Sequence, residues 1–403
     1  MTFERWRAGY TGPPHDLTDE EYAAWALRPL AGEPGGPSGV DVARAVRAGR
    51  RHRRGRWAGL AALSAAVLAI LVGGGVVLSA AGDPDKPKPK PAPSLPPEPA
   101  VPTGCRMSRL PLGKYTSATV TAGDSSGRWL VGQVEPVYGG SKTLLVWHDG
   151  KIVDEQPAPD RNNGFKMTAV NSSGVAVGGT EASASVPYLY RNGKVSVLKG
   201  GPGQAAAISD RGVIAGTLTG GPVRWRSPDA EPERLPLPPK VSATGWITDI
   251  GPDGTIVGRF GDKMLLWTPA GVVRVLTPPL PTGFFRTTQF HYGWLYVESI
   301  AAGSGIWRYE PRSNTWQQLT DWVKNPAPTT LMPNLSVATN VAAVFVGRKR
   351  LPLPLDRAIV QAGLKNIQIT SIDADAHVIT GSAQGGDSDP SKPFLPIIWT
   401  CHD

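Results

Sequence analysis

Seven turn-and-strand units recur along the chain after residue 104. They are DSSGRWLVG from Asp124, NSSGVAVGG from Asn171, SDRGVIAG from Ser209, GPDGTIVG from Gly251, FHYGWLYV from Phe290, NVAAVFVG from Asn340 and DADAHVITG from Asp373. Each reads as a tight turn followed by a short alternating or apolar strand. The fourth positions, Gly127, Gly174, Gly212, Gly254, Gly293, Ala343 and Ala376, lie 33 to 50 residues apart. A mean period of about 42 residues is the length of one four-stranded propeller blade. A repeat of that length cannot bury its own apolar face and has to stack on its neighbours.

The other strands of a blade recur in phase. Apolar stretches such as AAAIS at Ala205 and WITDI at Trp246 precede the turns. LLVWHDG, YLYRNG, VRWRSPD, LLWTPAG and GIWRYEP follow them, each with an aromatic before the next turn. Trp147, Tyr190, Trp225, Trp267, Trp307 and Trp399 hold this place and are expected to be packing anchors between sheets rather than a ligand cage. KVSVLKG, ERLPLP and VVRVLTP then supply a fourth strand. The expected fold is an all-β β-propeller over residues 104–403, of seven blades by the count of units and with six or eight as alternatives, because the sixth unit is short: after Gly347 the segment RKRLPLPLDRAIVQAGL has no tryptophan. The units AAAISDRGVIAG with VRWRS, and ITDIGPDGTIVG with LLWTPAG, resemble the bacterial extracellular HAF repeats. That resemblance implies a propeller-like surface protein and brings no catalytic residues with it.

Two cysteines are present, Cys105 and Cys401. The last unit ends at PFLPIIWTC without a fourth strand, while CRMSRLPLG from Cys105 matches the fourth-strand segment AEPERLPLP. Aligning Leu110 with Leu235 and Trp399 with Trp225 places Cys105 and Cys401 at the positions of Ala230 and Ser227, across one hairpin. The expectation is a disulfide that locks the last blade to the start of the domain.

Ahead of the repeats, Trp57–Ala81 is a run of 25 residues without a charge. As a helix it is about 37 Å long, enough to cross a bilayer core. Arg50, Arg51, Arg53, Arg54 and Arg56 precede it, so residues 1–56 are expected in the cytoplasm and everything after Ala81 outside. Residues 82–103 form a proline-rich linker, about 60 Å long if extended. Within the tail, Thr18 and Glu21 form a capping box for a short helix whose Tyr22 and Trp25 are candidates for contact with a cytoplasmic protein. Of the net charge of +9, part flanks the membrane span, where anionic lipid rather than nucleic acid is the expected counterpart.

No CxxC, HExxH or nucleophile–histidine motif occurs, so no catalytic residue, cofactor or metal site is expected. The DADAH stretch lacks the glycine and closing glutamate of a calcium loop. The reading that follows is a membrane-anchored extracellular binding module for a glycan, peptide or protein, and not an enzyme. The alternatives are a transmembrane sensor relaying outer binding to a cytoplasmic partner and, third, a surface enzyme.

Overall fold

The structure is a computed structural model that describes residues 95–134, 142–159, 164–180, 185–279, 285–299, 305–319, 335–337, 342–361, 364–385 and 393–403. The chain divides into two compact units, Met1–Pro89 and Lys90–Asp403, and the described residues belong to the second. The 57–81 run and the tail residues Tyr22 and Trp25 lie outside them. Among the described residues, no helix is long and apolar enough to cross a membrane.

After β1 (Gly104–Arg109) come five four-stranded antiparallel sheets. The first blade holds β2 (Ala118–Gly123), β3 (Trp129–Val134), β4 (Thr143–His148) and β5 (Lys151–Pro157). The second holds β6 (Phe165–Val170), β7 (Ala176–Thr180), β8 (Tyr188–Arg191) and β9 (Lys194–Val197). The third holds β10 (Gly203–Ile208), β11 (Ile214–Leu218), β12 (Gly221–Trp225) and β13 (Glu233–Arg234). The fourth holds β14 (Gly245–Ile250), β15 (Ile256–Phe260), β16 (Lys263–Trp267) and β17 (Val273–Leu276). The fifth holds β18 (Phe285–His291), β19 (Trp294–Ser299), β20 (Gly305–Glu310) and β21 (Thr315–Gln318). Then come β22 (Leu335–Val337), the hairpin β23 (Ala342–Val346) and β24 (Lys349–Leu353), and the short helix α1 (Arg357–Gln361). The last blade consists of β25 (Leu364–Ile372), β26 (Val378–Gly385), β27 (Leu395–His402) and, on its outer edge, β1; β22 pairs with β25 on the inner edge.

The protein is therefore an all-β propeller with six full blades among the described residues, the alternative to the count of seven that the short sixth unit left open. Where the sixth repeat is read, the described residues form a two-stranded hairpin. Ala343 and Phe345 pack on Trp294, Tyr296 and Ile306 of the fifth blade, while Ala342, Val344 and Val346 pack on the core of the last blade. Ala343 is consequently a buried strand residue and not a turn; the turn of this unit is at Gly347, with φ +60°. The physical reason is local. RKRLPLPLDRAIVQ carries no aromatic to anchor a third strand and turns instead into α1.

A second feature of the repeat sits opposite these turns. In the first four blades and the last, the inner strand carries a β-bulge, at Thr121, Thr168, Ala206, Thr248 and Thr370. Each threonine hydroxyl among them donates to a carbonyl of the second strand, at Val131, Val177, Val257 and Thr380. Facing each bulge is a glycine at the end of the repeat, or one before it in the second blade: Gly132, Gly178, Gly216, Gly258 or Gly381. A Cβ on Gly132 would lie 2.0 Å from the Thr119 carbonyl oxygen, so only glycine admits the bulged backbone there. In the fifth blade Val297 takes that place, and the bulge moves to Arg286. Gly132→Ala is expected to destabilise the domain by about 1–3 kcal/mol, the usual range for overpacking, measured by chemical unfolding. Gly150, whose Cβ would touch nothing, provides the comparison in which only the φ of +74° is strained.

The aromatic anchors bind blade to blade. The indole N–H of Trp147, Trp225, Trp267 and Trp399 donates to the carbonyl of Pro111, Lys199, Pro236 and Pro354, in each case just past the outer strand of the preceding unit. The Pro354 bond shows that β24 serves as the outer strand of the incomplete unit. In the fifth blade the equivalent residue is Tyr309, paired with Leu295, and not Trp307 as the sequence pattern suggested.

The ring is closed by β1 on β27, with Cys105 directly opposite Cys401. Their disulfide, expected from the sequence, is formed, with an S–S distance of 2.05 Å across a separation of 296 residues. The register agrees with the alignment behind that expectation: Leu110 N–H donates to the Pro396 carbonyl as Leu235 N–H does to Pro222.

Candidate ligand-binding site

The bulges turn the last residues of the inner strands towards the propeller axis, on the face that carries the turns between first and second strands. There the six blades enclose a cavity of about 390 Å³. At the residue after the bulge, four blades supply something small, Ala122, Ala169, Ala207 and Ser371, and the fourth blade supplies a carboxylate, Asp249. Asp249 accepts hydrogen bonds from the backbone N–H of Phe290 (2.7 Å) and of Ile250 (2.8 Å). No cation pairs with it in these bonds. Its side chain opens only partly onto the cavity, and burial pushes its pKa up to about 7. His291, also lining the cavity, is pushed down to about 4 by burial and is neutral at physiological pH.

The turns around the mouth are linked to one another. Ala374 N–H donates to the Ser125 carbonyl (2.8 Å), and the Ser125 hydroxyl donates to Asp210 (2.6 Å). Asp210 also accepts from Ser172 N–H (2.9 Å), so one carboxylate joins the first three turns. Burial opposes its ionisation, but the Ser125 and Ser172 bonds outweigh that and hold its pKa below the ordinary carboxylate value. The rim is thus built and fixed, and Asp249 is its odd member.

Linkage gives Asp249 a signature. Its folded pKa of about 7 lies above the ordinary 3.8, so the folded protein holds a proton that the unfolded chain releases. This contribution to stability is present at low pH and is lost as pH rises from about 4 through 7. Asp249→Asn is expected to flatten the stability profile over that window, read from unfolding midpoints at a series of pH values. An unchanged slope would show that another group carries it.

A second cavity of about 830 Å³ adjoins the first and shares Phe290, Tyr292 and Ala374 with it. One of its walls is the chain segment Leu95–Ala100, which belongs to no strand and crosses the turns of the fourth, fifth and last blades. The other walls carry Asp253, Glu310, Asp375 and Asp403 against Arg312 and His377, a mostly acidic lining. Among the described residues no three His, Cys, Asp or Glu side chains gather as a metal-ligand set.

Of the residues singled out in the sequence, the cysteines meet and the tryptophans anchor blades. Asp249, His291 and the segment at Leu95 were missed. Aligning TAGD, TAVN, AAIS, TDIG and TSID on the bulge would have exposed Asp249 as a charge at an otherwise small position.

No known protein family matches the chain, so the HAF resemblance gains no support as a family, and no curated relative matches either. Solved structures do resemble it. Catalytically inactive virginiamycin B lyase from Staphylococcus aureus with quinupristin is similar at TM-score 0.50 and 15% identity, over 74% of this chain and 99% of that one. A streptogramin B lyase is similar at TM-score 0.49 and 14% identity, over 74% and 98%. The WD40 repeats of RRP9 give TM-score 0.47 and 10% identity, over 76% and 100%. Architecture and likeness together define a β-propeller protein. At such identities the likeness concerns the fold alone.

Proposed function

We propose that this protein is a membrane-anchored extracellular propeller that holds a glycan, peptide or protein segment at the turn face, and that it is a binding module rather than an enzyme. The supporting observation is the pair of adjoining cavities on one face, within the size range of ligand sites, around a hydrogen-bonded rim whose inner wall carries the carboxylate of Asp249 with its raised pKa. The charge-free 57–81 run behind five arginines supports the anchor, and the Cys105–Cys401 bond suits an oxidising exterior.

Cells carrying the full chain, screened against glycan and peptide arrays, should yield ligands whose affinity falls about tenfold on Asp249→Ala or Tyr292→Ala, by loss of a polar or aromatic contact. Affinity should also change as pH crosses about 7, where Asp249 titrates. Ligands indifferent to both substitutions would move the site elsewhere. For the anchor, protease added to intact cells should remove the propeller and spare residues 1–56; protection of the propeller would reject the topology.

A further inference from the structure

Arg308 on β20 is a cation inside the protein, with its side chain 1% exposed. Its guanidinium lies 4.0 Å from the centre of the Trp294 ring, and its Nε and Nη2 donate to Gln317 Oε1 at 3.0 and 2.7 Å. Those contacts leave the positive charge unbalanced. Its carboxylate partner comes from outside every blade: Nη1 donates to Glu98 Oε2 at 2.9 Å and Nη2 donates to Glu98 Oε1, forming a two-pronged pair. A buried guanidinium requires such a partner, and its fork suits a carboxylate.

The two sides of this contact differ. Arg308 is interior, whereas the Glu98 side chain is 47% exposed and lies on top of it. Glu98 belongs to LPPEP, residues 95–99, a sequence biased to the extended polyproline form. Its prolines are seated where the ring offers glycine. A Cβ on Gly293 would come within 3.0 Å of Pro96, and one on Gly347 within 2.8 Å of Pro99. Phe290 and Tyr292 continue the seat as aromatic surface, and the cavity beyond it stays open. This is how proline-rich peptides are held in grooves: a pre-extended chain, flat apolar seats and one polar anchor. Downstream the segment is tied at Thr103, whose N–H donates to the His402 carbonyl at 2.9 Å, and at Cys105 by the disulfide, so it stays tethered beside its seat when it leaves it.

We propose that residues 95–100 are a built-in ligand, and that Arg308, Trp294 and Gln317 with the Gly293 and Gly347 seats form a recognition site for an extended, proline-flanked carboxylate peptide. An outside peptide of this chemistry displaces the segment in competition with it. This site stands independently of whether the axial cavity binds anything.

The probe is a fluorescent synthetic peptide of residues 93–103, PSLPPEPAVPT, titrated against the full chain. The Glu98→Gln protein, whose own segment holds Arg308 weakly, should bind it about tenfold more tightly than the wild-type protein, where the tethered copy competes at high effective concentration. A peptide with glutamine in place of its glutamate should not bind. Equal affinity for the two proteins, or for the two peptides, would overturn the proposal. Wild-type protein provides a measurement free of folding effects. Excess peptide should speed deuterium uptake at Leu95, Glu98, Ala100 and Val101, and unchanged uptake would show a fixed structural tie.

Discussion

Trp267→Ala is expected to cost the domain about 3–5 kcal/mol, as for other buried aromatic truncations, and to lower its melting temperature by roughly 6–10 °C. The side chain is fully buried, meets Phe260 edge-on at 5.7 Å and belongs to the cluster that joins the third blade to the fourth. Its indole N–H donates to the Pro236 carbonyl at 2.7 Å, so the truncation also strips a buried acceptor of its donor. Trp267→Phe keeps most of the volume and should isolate that bond at about 1 kcal/mol. Trp307→Ala should cost clearly less, because Trp307 is half-buried and its indole N–H has no hydrogen-bond partner among the described residues. Thermal unfolding of the three variants decides the matter; equal losses for Trp267 and Trp307 would contradict the assignment of Tyr309 as the fifth anchor.

Cys401→Ser should produce the other large loss. The bond closes a loop of nearly 300 residues, for which the chain-entropy relation gives about 5–6 kcal/mol, against the 2–4 kcal/mol commonly found. We expect a fall of about 2–4 kcal/mol, or roughly 4–8 °C in melting temperature at this size. Adding reductant to the wild-type protein should reproduce it, and Cys105→Ser combined with Cys401→Ser should cost no more than Cys401→Ser alone. A double variant as stable as wild type would mean that β1 pairing alone holds the ring.

The contrast between what the sequence disclosed and what it hid follows from range. The turns were legible because Gly127, Gly174, Gly212 and Gly254 each obey a local rule, a left-handed backbone within four residues. The disulfide was legible because Leu110 and Leu235 belong to the same strand pattern. Trp307 misled because a strand offers aromatics two residues apart on the same face, and only the pairing of Tyr309 with Leu295 distinguishes them. The missing sheet was hidden by an apolar stretch, NVAAVFVG, that is strand-like whether or not a full blade surrounds it. The site was hidden for a different reason. Asp249 and His291 meet the other blades only when the ring closes, and Glu98 reaches Arg308 from 210 residues away. No window of sequence contains those neighbours.

The pairing of β1 with β27 also sets an order of assembly. Strand β1 is made before any blade, yet its partner is the last strand made, so it waits unpaired while all the intervening blades form. Contacts of such span slow folding, and an unpaired strand is open to wrong partners in the interval. Joining Cys105 to Cys401, with an oxidant from outside the protein taking the two electrons and two protons, is favoured once β1 and β27 lie side by side. During first folding the bond therefore marks ring closure: a chain stalled before β1 meets β27 should still show two thiols.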